Sequence, residues 1–113
     1  MFAAADQDDH GTPPWHPENR GRLDAALAGV ERAGLGEATE WRTPREATLD
    51  ELALAHAPEY VAAVEAFCEA GGGQLDPDTV ATPGSWGTAR RAAGAVLDAI
   101  DALRAGECDV AFA

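Results

Sequence analysis

Residues 75–97 read LDPDTVATPGSWGTARRAAGAVL, and this stretch decides the fold. Its first part is predicted to be a loop, because Asp76 and Asp78 flank a proline and follow three consecutive glycines. Its second part is predicted to open the longest helix of the chain, which starts near Ser85 and is closed by Gly106. The apolar stripe of this helix is expected to consist of Trp86, Ala89, Ala93, Val96, Ile100 and Leu103.

The long helix leads into a short segment with strand character. Residues 109–113 alternate so that Val110 and Phe112 point to one side, which is typical of a strand. A long helix that leads into a strand predicts an α/β architecture with the strand in a parallel sheet. The other strand candidate is residues 1–5, and two strands do not form an independently stable parallel sheet. We therefore expect a mostly helical section of a larger α/β domain.

The first half of the chain is predicted to contain three further helices. The first follows Asn19 and stops at Gly34, where a glycine can adopt the left-handed conformation that ends helices. Thr48 and Glu51 have the spacing of a capping box, which predicts a short helix after them. Pro58 suits the first turn of the next helix.

The composition restricts the class of partner. The 113 residues carry 20 acidic and 8 basic side chains, which gives a formal net charge of −12. Such a surface repels phosphate backbones, so we expect no direct binding to nucleic acid. It could attract cationic substrates, although acidity can also serve only to keep a protein in solution. No stretch is apolar enough for a membrane span or a signal peptide, and we expect a cytoplasmic location.

A metal site built from this section alone is not expected. His10, His16 and Glu18 lie in a proline-rich loop, and the remaining histidine, His56, is distant in sequence. Zinc needs three or four convergent ligands held by a short spacing or a rigid scaffold. Cys68 and Cys108 show no CxxC spacing, and we interpret both as ordinary buried thiols.

Three motifs follow one another in a recognisable order: HPENRGRL at 16–23, ATLDELALAHAPEYVAAV at 47–64 and the stretch at 75–97. This series resembles the N-terminal portion of zinc-dependent deacetylases of the histone deacetylase superfamily, of the bacterial and archaeal class II-like type. That type includes acetylpolyamine amidohydrolases and acetoin utilization proteins. The resemblance implies that residues 1–113 are the N-terminal portion of one domain with a three-layer, arginase/deacetylase-like fold. One departure is Arg20, which stands where the family often has proline.

The resemblance also implies roles for individual residues. Asp78, with Asp76 as the second choice, matches an aspartate at the rim of the active site that grips the main chain of the substrate. Arg22 matches an arginine associated with an internal channel, and His16 and Glu18 line the periphery of the active site. Two plainer interpretations stay open. Arg22 could simply pair with a carboxylate or carbonyl near the helix start, and the two aspartates could hold a solvated loop through Asx turns.

In this family, a strand like the one predicted at 109–113 leads into a loop with tandem histidines, and later strands supply Asp/His/Asp zinc ligands. The resemblance therefore implies that this chain contains no catalytic residue and binds no zinc by itself. The parent enzyme would hydrolyse acetyl-lysine or an acetylpolyamine and release acetate and a free amine.

Two other interpretations of the sequence are possible. One is a non-catalytic, acidic helical module that binds a basic partner, and the other is a fragment of an arginase-like hydrolase, which has a similar layered α/β pattern. The oligomeric state cannot be inferred from the sequence.

Overall fold

Four α-helices and one β-hairpin make up the described part of the chain. The computed structural model describes residues 16, 17 and 19–113, so the strand predicted at 1–5 and residue Glu18 lie outside the described residues. The elements in order are α1 (Arg20–Arg32), a single 3-10 turn (Gly36–Ala38), α2 (Leu49–Ala53), α3 (Pro58–Glu69), β1 (Gly73–Asp76), β2 (Thr79–Ala81) and α4 (Ser85–Ala105).

Both ends of α1 are set by the residues that the sequence indicates. The Asn19 side chain accepts a hydrogen bond from the backbone N–H of Gly21 at 2.9 Å and caps the start of the helix. At the other end, Gly34 has a φ of +67° and donates its N–H to the Glu31 carbonyl. This left-handed glycine turns the chain out of the helix, as predicted.

The second and third helices also begin where predicted. Thr48 accepts the N–H of Glu51 through its hydroxyl, while its own N–H donates to the Glu51 carboxylate at 2.7 Å. The predicted capping box is therefore confirmed. α3 begins at Pro58 and buries Val61 and Cys68.

The segment predicted as a loop between α3 and α4 contains a hairpin instead. β1 and β2 pair antiparallel, with Gly73 opposite Ala81 and a register shift before Asp76. Local composition could not reveal this hairpin, because its strands are only four and three residues long. They are held by close backbone approach: Gly72, with a φ of +71°, lies so near the main chain of Ala81 that a Cβ would clash with it. This is the one sheet within the described ranges, and the predicted parallel sheet stays a prediction.

The prediction of a strand at residues 109–113 is wrong. These residues are in no strand, and the side chains of Val110 and Phe112 are largely exposed. A strand requires a neighbour for its backbone hydrogen bonds, and the structure places none beside this segment in the described part of the chain. The alternating pattern alone does not supply that partner.

The buried face of α4 also differs from the predicted stripe. Val96, Ile100 and Leu103 of the predicted stripe are between 41% and 50% exposed, so none of these three side chains is buried in this section. The face that packs inward consists of small residues: Ser85, Thr88, Gly94, Ala95, Ala99 and Ala102. These small side chains allow the loop before α2 to approach the helix closely.

Main-chain and ionic contacts join that loop to α4. The Ala47 N–H donates to the Arg90 carbonyl at 2.9 Å, and Arg90 Nε donates to the Ala47 carbonyl at 3.0 Å. Arg90 also pairs with Glu46, and Arg45 pairs with Asp98. None of the helices in the described ranges has the length and apolar character that crossing a membrane requires.

Candidate functional site

The turn between β1 and β2 carries the two aspartates singled out in the sequence, and they have different roles there. Asp76 Oδ1 accepts the backbone N–H of Asp78 at 2.8 Å, and Asp76 Oδ2 accepts the hydroxyl of Thr79 at 2.9 Å. The N–H of Asp78, followed by the Thr79 hydroxyl, lowers the pKa of the Asp76 carboxyl. Because both of its oxygens accept hydrogen bonds inside the turn, Asp76 shapes the hairpin.

Asp78 lies at the tip of the same turn, with a side chain that is 89% exposed. His16 Nε2 lies 3.1 Å from Asp78 Oδ1 and 3.2 Å from the Asp78 carbonyl oxygen. A carboxylate and a carbonyl are both acceptors, so Nε2 must carry the proton and donate it. The structure thus brings together two of the predicted site residues.

The hairpin tip is connected to α1 through His16. The His16 carbonyl accepts a hydrogen bond of 2.7 Å from Asn19 Nδ2, and the same Asn19 side chain caps α1. The His16 side chain is only 14% exposed. The start of α1 therefore holds the histidine, and the histidine holds the tip of the hairpin. Glu18, predicted beside them, is outside the described residues.

Arg22, the predicted channel residue, lies on the exposed side of the first turn of α1. Its backbone N–H donates to the Asn19 carbonyl at 3.1 Å. Its role at a channel stays a prediction, because a channel wall requires chain that covers this surface.

A cavity of about 670 Å³ lies between the 3-10 turn, the end of α4 and the C-terminal residues. Leu35, Ala102 and Phe112 contribute to its apolar lining. At its edge, Arg42 forms ion pairs with Glu40 at 2.7 Å and Glu107 at 2.6 Å, and the hydrogen bond from Arg42 lowers the pKa of Glu40. Through Arg42, these pairs connect the segment before α2 to the residue that follows α4.

Within residues 16, 17 and 19–113, no group of three or more His, Cys, Asp or Glu side chains could hold a metal ion. A zinc ion needs such a convergent set, so the residues described here do not fit one.

Comparison with known proteins adds independent information. Residues 16–113 match the family model described as histone deacetylase domain. The chain is 40% identical over 92 residues to a probable deacetylase of Methanothermobacter thermautotrophicus, a match covering 80% of this chain and 27% of the relative. It is 35% identical over 96 residues to a histone deacetylase-like amidohydrolase of Pseudomonas aeruginosa, covering 85% of this chain and 24% of the relative.

The fold is also similar to a solved structure, the HD domain of HDA15. The two agree with a TM-score of 0.73 at 30% sequence identity, over 86% of this chain and 28% of that chain. The chain therefore spans about a quarter of the proteins that it matches. The family match from the start of the HPEN motif to residue 113 shows that this chain belongs to the histone deacetylase family.

Proposed function

We propose that this chain forms the N-terminal section of a zinc-dependent deacetylase domain that hydrolyses the acetyl amide of acetyl-lysine or of an acetylated polyamine. The observation that carries this proposal is the contact between His16 and Asp78. Two family-like motifs that are 62 residues apart meet at one exposed turn, where a substrate could be bound. The family match also favours this interpretation over the arginase-like one.

In this proposal, Asp78 is the substrate-binding residue of the section. Its carboxylate is exposed at the hairpin tip and can accept N–H groups from the main chain of a substrate. Asp76, the second choice, is less suited to this role because both of its oxygens already accept hydrogen bonds from the turn. Arg22, His16 and Glu18 are assigned to the periphery, and the zinc ligands and catalytic histidines to chain outside these residues.

The exposed apolar surface supports the proposal that more of the domain covers this section. Val96, Ile100 and Leu103 form a row along α4, and Val110 and Phe112 follow it with 82% and 62% of their surface exposed. Several large apolar side chains exposed on one helix face are unusual on a free surface and are typical of a buried interface. In a complete domain, these residues would pack beneath further helices or strands.

The test compares two proteins: the 113-residue chain and the product of the complete reading frame that encodes it. Both are supplied with zinc and assayed for acetate release from an acetyl-lysine peptide and from N-acetylputrescine, with and without a chelator. We expect chelator-sensitive release from the complete product and none from the 113-residue chain.

Two results would contradict the proposal. Absence of acetate release by the zinc-loaded complete product would refute deacetylation of these substrates. Chelator-sensitive release by the 113-residue chain alone would refute the assignment of the metal ligands to chain outside it.

A further inference from the structure

We propose that His16 is a positioning residue, whose imidazole holds the carboxylate of Asp78 in the orientation in which it accepts the main-chain N–H of a peptide substrate. This inference rests on the proposed function and adds to it a determinant of substrate class. It follows from how Asp78 is held.

The Asp78 side chain is restrained by a single donor. An aspartate that is 89% exposed at the tip of a two-residue turn would otherwise exchange between rotamers. His16 Nε2 reaches both Oδ1 and the carbonyl oxygen of Asp78, at 3.1 and 3.2 Å. Because one N–H is shared between the side-chain and main-chain oxygens of Asp78, rotation about the Cα–Cβ bond of Asp78 is restricted.

The main chain of the turn is held as well. Asp76 accepts the Asp78 N–H, while His16 donates to the Asp78 carbonyl. Asp78 is thereby held on both of its peptide groups. The main-chain carbonyl of His16 in turn accepts a hydrogen bond from Asn19, whose side chain caps the start of α1. The orientation of the exposed carboxylate is thus set by a helix rather than by the hairpin alone.

One oxygen of the Asp78 carboxylate can accept a donor from a ligand. In the part of the chain that the structure describes, the hydrogen bond from His16 goes to Oδ1, which leaves Oδ2 available to accept a further donor. A peptide that carries acetyl-lysine offers main-chain N–H groups beside the acetylated side chain, whereas an acetylated polyamine offers none. A preoriented acceptor therefore favours the peptide, because less rotamer freedom is lost on binding.

The experiment uses the product of the complete reading frame. His16→Leu removes the donor, and His16→Gln restores an N–H at a comparable reach. His56→Leu is the matched control, because His56 is an exposed histidine at the junction of α2 and α3 whose ring lies tilted against Tyr60 with a centroid distance of 5.6 Å. Steady-state kinetics are measured with an acetyl-lysine peptide and with N-acetylputrescine.

We expect His16→Leu to raise KM for the peptide about fivefold while kcat changes less than about twofold, since one charge-assisted hydrogen bond no longer orients the acceptor. KM for N-acetylputrescine should not change in this variant. His16→Gln should recover most of the peptide KM, and His56→Leu should match the wild type. An unchanged peptide KM in His16→Leu, or an equal rise for both substrates, would overturn the inference.

A second measurement keeps the inference independent of turnover. Three-bond couplings that report the χ1 angle of Asp78 should indicate one rotamer in the wild type and an average of rotamers in His16→Leu, with recovery in His16→Gln. Identical couplings in all three proteins would overturn the positioning role. A wild type that releases no acetate but shows the expected couplings would refute only the proposed function, since His16 would still orient Asp78.

Discussion

The carbonyl oxygen of Arg45 lies against Gly94 in the middle of α4, so closely that a Cβ at position 94 would overlap it. The carbonyl carbon of Arg45 and the backbone nitrogen of Ala47 would lie only 2.9 and 3.0 Å from the same Cβ. The loop before α2 therefore crosses α4 at a point where only glycine fits. The small residues on this face of α4 leave room for the loop to pack against the helix.

Replacing Gly94 with alanine should therefore destabilise the chain, although the same change usually strengthens a helix. Gly29→Ala on α1 is the matched control, since the nearest atom to a Cβ there is 3.9 Å away. We expect Gly94→Ala to lower the free energy of unfolding by about 1–3 kcal/mol. Gly29→Ala should raise it by up to about 1 kcal/mol. Urea unfolding measures both, and a stabilising Gly94→Ala would contradict the observed crossing.

The stability of the chain should also depend on Glu51 at acid pH. The guanidinium of Arg45, followed by the N–H of Thr48, lowers the pKa of Glu51 from 4.5 to about 2. Because the pKa is lower in the folded state, the ionised carboxylate stabilises the fold above about pH 4.5, and this contribution is lost as the pH falls toward 2.

Glu51→Gln should therefore lower the midpoint temperature of thermal unfolding at pH 7. The difference in midpoint temperature between this variant and the wild type should shrink between about pH 4.5 and 2. Glu37→Gln, on the exposed 3-10 turn, serves as the control and should stay close to the wild type throughout. A Glu51→Gln difference that does not vary with pH would show that Glu51 acts through packing alone.

The two aspartates of the hairpin should respond differently to substitution. Asp76→Ala removes the acceptor of the Asp78 N–H and of the Thr79 hydroxyl, so hydrogen exchange of the Asp78 amide should accelerate. Asp78→Ala leaves Asp76 in place, and exchange at the same position should change little. Because the pKa of Asp76 is lowered, the slow exchange should persist below the usual titration range of aspartate. Equal acceleration in both variants would contradict the division of roles.

The apolar row on α4 can be tested in the 113-residue chain with a dye that binds exposed apolar surface. Val96, Ile100 and Leu103 replaced together by glutamine should reduce dye fluorescence severalfold without loss of helix content, because glutamine is a good helix former. Leu54→Gln is the control: Leu54 is 86% exposed but does not belong to the apolar row, so this variant should leave the signal nearly unchanged. An unaltered signal in the triple variant would mean that the dye binds elsewhere.

Helix boundaries could be predicted from the sequence because their causes are local. Thr48 and Glu51 are three residues apart and bond to each other, and Gly34 ends α1 through its own backbone conformation. Pro58 is compatible with the first turn of a helix wherever the helix later packs. In each case, the sequence signal and the structural cause lie within one or two turns of chain.

The faces and partners of those helices could not be predicted in the same way. Hydrophobic periodicity identified Val96 and Ile100 as the stripe of α4, but both are about half exposed, and the small residues Ala95 and Ala99 are buried instead. The face of α4 that packs inward is the one that the main chain of Arg45 approaches. The local sequence of α4 contains no signal for this distant contact. The strand character of residues 109–113 likewise needs a neighbouring strand before it becomes structure.

The hydrogen bond between His16 and Asp78 has a kinetic consequence, because it closes a loop of 62 residues. Closing such a loop costs on the order of 4 kcal/mol of chain entropy, more than one hydrogen bond returns. The bond can therefore form only after the helices between its ends have docked. We expect it to be the last contact to form during folding and the first to open when any intervening element unfolds. The orientation of the Asp78 carboxylate therefore reports whether the whole section is folded.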